Sequence, residues 1–93
     1  MIYGSIDQVR QANERSGYHF FDQSTLRFFS SRVLSNIYGG RYFVTSERGP
    51  GMARAYTLRR VNDNGSIATV GEFQSYATAR QAKAAALRQA VTA

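Results

Sequence analysis

Residues 48–61 read RGPGMARAYTLRRV and carry four arginines in fourteen positions. Guanidinium groups are planar, permanently charged and donate hydrogen bonds in pairs, so such a run suits phosphate or carboxylate. It does not suit acid–base catalysis, because arginine keeps its proton near neutral pH. Side chains that do such chemistry are sparse. The chain has no cysteine and one histidine, His19. Absence of cysteine removes disulfides, thiolate zinc sites and thiol nucleophiles together. His19 lies in the run YHFF and reads as a packed or capping residue, because a catalytic base needs a second positioned group. The carboxylates Asp7, Glu14, Asp22, Glu47, Asp63 and Glu72 are scattered and suggest neither an acid–base dyad nor a metal cage. Ser30–Ser31 lack a nucleophile-elbow pattern, and Gly39–Gly40 and Gly49–Pro50–Gly51 do not fit a phosphate loop. The expectation is a non-enzymatic protein with no metal and no cofactor.

Charge points the same way. Net charge is +6, and eleven of the twelve basic residues are arginine, Lys83 being the exception. In so short a chain this balance suggests a polyanion, or an acidic protein surface, as partner. The plainer reading is a solvated basic surface. Phe20–Phe21 and Phe28–Phe29 read chiefly as core. Adjacent residues cannot all point inward, however, so one exposed ring is expected.

These residues must be carried on a small scaffold. The chain has 93 residues, enough for a single domain over 1–93, and 43% apolar content allows one thin core. No run approaches the about 18 apolar residues of a membrane span, and the N-terminus lacks a signal-peptide pattern, so a soluble cytoplasmic protein is expected. Ser5 caps a helix over 5–15 with Ile6, Val9 and Ala12 on its apolar stripe. Asp22 or Ser24 starts a second helix in which Leu26, Phe29, Val33 and Ile37 recur at helical spacing, and Gly39–Gly40 ends it. Strands follow over 41–47, 53–61 and 66–73, separated by the Gly-Pro-Gly turn and by Asn64–Gly65, a strong hairpin signal. Tyr56 and Leu58 fall on one face of the sheet, Thr57 and Arg59 on the other, which is expected to be open. Thr78 caps an alanine-rich helix over 78–91, where Ala82, Ala86 and Ala90 permit close approach and Leu87 and Val91 extend the buried stripe. The fold class is therefore α+β: helix, helix, three-stranded antiparallel meander, helix, with the helices packed on one face of the sheet.

Two resemblances add to this. The second half, from RYFVTSERGPGMARAYTLRRV through TARQAKAAALRQA, is similar to the double-stranded-RNA-binding domain family. Gly49–Pro50 stands at that family's loop between its first two strands, and Arg80 and Lys83 stand at the start of its alanine-rich helix. Met52 stands near the place of the family's loop histidine, and Ala79–Arg80 replaces its lysine pair. The resemblance implies minor-groove and phosphate contacts without a sequence code, with Arg54, Arg80 and Lys83 as phosphate contacts. The runs HFFDQSTLRFFSSRV, YGGRYFVTSE, RAYTLRRV and VGEFQSYATARQA span most of the chain. They resemble an uncharacterised family of small proteins of actinobacterial phages and prophages, which implies a phage accessory protein and no particular activity.

The expected function is binding of nucleic acid, or of a nucleic-acid complex, through Arg54, Arg59, Arg80, Lys83 and Arg88, in the cytoplasm of a bacterial host. The alternative is a protein–protein inhibitor of a host defence or regulatory complex, similar to anti-CRISPR proteins, anchored by Phe28 or Tyr38. The expected state is a monomer or a weak dimer, the free sheet edges offering the route to pairing.

Overall fold

The computed structural model describes residues 2–28 and 30–92. Ser5 starts α1 (Ile6–Arg15), its hydroxyl accepting from the Gln8 backbone N–H at 3.2 Å. A short α2 (Gln23–Arg27) and a two-residue strand, β1 (Arg32–Val33), follow. The meander comprises β2 (Tyr42–Glu47), β3 (Ala55–Val61) and β4 (Ile67–Thr69), and α3 (Ala79–Thr92) closes the chain. Thr78 caps α3 through the Gln81 backbone N–H at 3.2 Å. The sheet is antiparallel throughout, in the order β1-β2-β3-β4. The α+β class and the order helices, sheet, helix are as the sequence implies, with one strand more.

That extra strand comes from the segment expected to continue the second helix. α2 stops at Arg27, and Ser30 adopts a positive φ of 49°, which a helix does not accept. Beyond it Arg32 pairs with Ser46 and Val33 with Thr45, so β1 covers one edge of β2. β-branched Val33 fits an extended edge better than a helix interior. Val33 and Ile37 still reach apolar surroundings, but from an edge strand and a loop. Phe29, expected on the same helical stripe, lies outside the described residues.

Strand alternation separates two cores. Tyr42, Val44 and Leu58 face α3 and pack on Ala82, Ala85 and Ala86. Close approach is needed there. A Cβ on Gly39, whose φ is +60°, would stand 2.8 Å from the Ala90 Cβ. Leu87 and Val91, expected in this stripe, instead point outward, 54% and 86% exposed. Ala82, Ala85, Ala86 and Ala90 set the contact face, and Leu87 and Val91 each follow one of them by a single residue, about 100° further round the helix.

The opposite face is not open. Phe43 and Val61 pack there against Val9, Ala12 and Tyr3, with Phe20 and Phe21 beside them. Phe21 stacks on Phe43 with ring centroids 6.2 Å apart, and Phe20 meets Phe21 edge-on at 5.0 Å. The expectation that helices cover one face only is therefore corrected: α1 and the Phe20–Phe21 segment lie on one side, α3 on the other. Asn13 holds this second layer. Fully buried, it donates to the Gly65 carbonyl at 2.9 Å and accepts from the Phe20 backbone N–H at 3.2 Å. Gly65 has φ +86°, and a Cβ there would come 2.8 Å from the Ala12 carbonyl oxygen. The Asn-Gly turn thus supplies the hairpin and also the gap into which α1 fits. Among the described residues no helix is long and apolar enough to cross a membrane.

Candidate nucleic-acid interface

The sheet ends at Glu47 and Ala55, where the Gly-Pro-Gly turn joins β2 to β3. Gly51 takes a φ of +71°, and Met52 N–H closes the turn on the Gly49 carbonyl at 3.1 Å. Arg54 ties this turn to the rest of the protein. Its guanidinium donates to Ser46 Oγ at 2.8 Å and to the Ser30 carbonyl at 3.1 Å. Between the turn and the 28–32 segment runs a groove of about 410 Å³. Arg32, Arg48 and Arg54 line it, together with Ser30, Phe28 and the Gly49–Gly51 backbone. A second hollow, about 330 Å³, shares Ser30, Arg32 and Arg54 and adds Arg27 and Gln23 from α2. A third, about 380 Å³, is walled by Phe20, Leu26, Phe28 and Phe73, with Arg59 and three hydroxyl side chains. Leu26 and Ser31 join the third hollow to the second, and Phe28 joins it to the groove.

No carboxylate lines any of the three. Five of the six acidic side chains are held in ion pairs, and the sixth, Glu72, lines none of the three hollows. Asp7 and Glu14 pair with Arg10, Asp22 with His19, Asp63 with Arg41 and Glu47 with Arg59. Arg27, Arg32 and Arg48 have no ion-pair partner among the described residues. Positive charge at this end of the sheet is therefore uncompensated, which favours an anionic ligand.

Arg59 is a different case. It leaves the Phe43 face of β3 and is held by three acceptors: Thr45 Oγ1 at 3.0 Å, Thr69 Oγ1 at 2.6 Å and Glu47 Oε2 at 3.3 Å. Glu47, only 1% exposed, also accepts from Thr57 Oγ1 at 2.7 Å. Gln74 seals the network, its backbone N–H donating to Thr57 Oγ1 and its side chain to the Glu47 carbonyl, both at 2.9 Å. Burial holds the Arg59 pKa below its ordinary value, and the charge of Glu47 opposes that shift. The buried pair is satisfied by hydrogen bonds on the Phe43 face of the sheet.

A model of a family of unknown function, DUF7447, matches residues 5–87. The chain belongs to that family. No curated protein and no solved structure matches it. The DUF7447 match contains every residue that lines the three hollows and stops one short of Arg88.

Within this DUF7447 chain the expected contact residues separate. Arg54 is in the groove, half-buried and doubly bonded. Arg59, expected on an open face, is enclosed by Phe20 and Phe73 and spent on Glu47, because the second layer covers that face. Arg80 is exposed and Lys83 half-buried near the start of α3, and Arg88 is exposed in its second half. None of the three lines the groove or its neighbouring hollows. Tyr38 is half-buried, packs against the α3-side core and bridges to Tyr42. Phe28 is 78% exposed, as one ring of its cluster was expected to be. Sequence reasoning missed Arg27, Arg32 and Arg48 as a group. Arg48 stood in plain view at the head of the Gly-Pro-Gly turn. Arg32 was hidden by a helical period that ran through a two-residue strand.

Proposed function

We propose that this protein is a non-enzymatic, phage-type accessory protein that binds the backbone of a nucleic acid, or of a nucleic-acid complex, in a bacterial host cytoplasm. The observation that carries the reading is the groove lined by Arg32, Arg48 and Arg54 with no carboxylate in its walls. Guanidinium groups are donors that phosphate oxygens take. The resemblance of most of the chain to small phage proteins, and of its second half to double-stranded-RNA-binding domains, supports the same reading. Arg80 and Lys83 then extend the basic surface as secondary contacts, three residues apart on one helix.

Fluorescence anisotropy against labelled duplex RNA, duplex DNA and single strands tests it. With about three phosphates neutralised, log K falls with log salt at a slope of about −2.1 to −2.7, a loss of roughly 20- to 40-fold between about 50 and 200 mM salt. R32E/R48E removes most of that affinity and flattens the slope, and R80E/K83E weakens binding less. Absence of binding at physiological salt refutes the reading. It leaves the second one, an inhibitor docked on a host protein, which the exposure of Phe28 favours.

A further inference from the structure

The aromatic hollow has a character that a phosphate groove does not need. Phe28 walls the arginine groove and also the hollow, and it is 78% exposed. The hollow's volume of about 380 Å³ lies in the range of small-ligand sites. Arg59 stands in its wall, its guanidinium carbon 5.3 Å and 5.7 Å from the Phe20 and Phe73 ring centroids. Three acceptors fix that guanidinium, and Glu47 matches its charge. It is an immobile, flat, polar surface set among apolar rings, not a mobile anchor for phosphate.

We propose that this hollow receives an unpaired base from a strand whose phosphates follow the arginine groove, so that the ligand class is single-stranded nucleic acid. The inference rests on the proposed function and narrows it. A base is flat, apolar on its faces and polar at its edge. Phe28 offers a ring for a face, and Arg59 with the Ser24 and Ser31 hydroxyls offers polar groups for an edge. Uncompensated arginines lie beside the rings rather than among them, which matches the alternation of charge and base along a strand. A duplex presents phosphates to the groove but fills the hollow only by extruding a base from its stack. An apolar side chain from a protein fits the rings but leaves the adjoining arginines without counter-charge.

Anisotropy with three probes tests the proposal: an oligothymidylate of about ten nucleotides, an oligouridylate of equal length, and an abasic strand with the same phosphates and no bases. At least one base-bearing strand is expected to outbind the abasic strand by about 5- to 150-fold. An advantage for either supports the proposal. F28A removes that advantage, so that the base-bearing strands bind no better than the abasic strand, and R48E weakens all three. F28L keeps the apolar bulk without the ring face, so an advantage that survives in F28L overturns stacking on Phe28. Equal binding of base-bearing and abasic strands, with R48E still weakening both, overturns the base site and leaves the groove standing. No binding by any of the three overturns the base site, and the duplex probes then decide whether the groove holds phosphate at all.

Discussion

Replacing Arg59 with methionine removes the one cation that, among the described residues, pairs with a carboxylate only 1% exposed. Glu47 would keep its hydrogen bond from Thr57 but lose the charge that offsets its removal from water. Breaking a buried pair from one side costs about 3–5 kcal/mol. A chain of 93 residues has a total stability of about 5–14 kcal/mol, so the variant gives up a large share of it. The expected fall in Tm is roughly 15–30 °C. E47Q is the milder change. Arg59 keeps Thr45 and Thr69 as acceptors and is itself 12% exposed, so the loss should be about 1.5–3 kcal/mol. The double variant E47Q/R59M leaves no buried charge uncompensated and should cost at least about 1 kcal/mol less than the sum of the two. Urea denaturation gives all three values as shifts in midpoint at unchanged m. If R59M costs under about 1 kcal/mol, or if the double variant is additive, then Arg59 is not compensating a desolvated carboxylate and the account of this network is wrong.

Asn13→Ala leaves the Gly65 carbonyl and the Phe20 N–H without their partner and should destabilise by about 2–4 kcal/mol, measured by the same titration. The Arg41 hydrogen bond and charge hold the Asp63 pKa below its ordinary value. A carboxyl whose folded pKa is lowered contributes stability at pH above its unfolded value and loses it as pH falls through the folded value. The wild type should therefore lose more Tm than D63N as pH drops below about 4, and parallel Tm–pH curves would refute a contribution from that pair.

Local signals were legible where one or two residues decide the backbone. Ser5 and Thr78 start helices by giving up a hydroxyl lone pair, and Asn64–Gly65 closes a hairpin because only a positive φ fits there. Alternation placed Tyr56 with Leu58 and Thr57 with Arg59, as observed. Choices settled by tertiary packing were not legible. Phe20 and Phe21 follow a glycine and belong to no period, so nothing local says that they fold beneath the sheet and close the face that Arg59 was expected to leave open. Glu47 reads as a solvated residue before a turn. Its burial depends on register, which sets Thr45 opposite Thr57 and brings Arg59 within reach from two positions further along β3. The arginine groove is likewise a product of register: β1 brings Arg32 alongside Ser46, and Ser46 in turn holds Arg54.

The two outer strands bear on how copies of this protein behave when crowded together. β1 has two residues and β4 has three, and the remaining length of β3 is occupied by the Tyr56–Tyr76 bridge. A sheet from a second copy would find few free ladder bonds on either side, although the central pair of strands is six and seven residues long. Short borders of this kind discourage edge-to-edge growth into larger sheets and fibrils. A surface rich in uncompensated arginine adds mutual repulsion. Both features leave the backbone of this sheet a poor route to self-association.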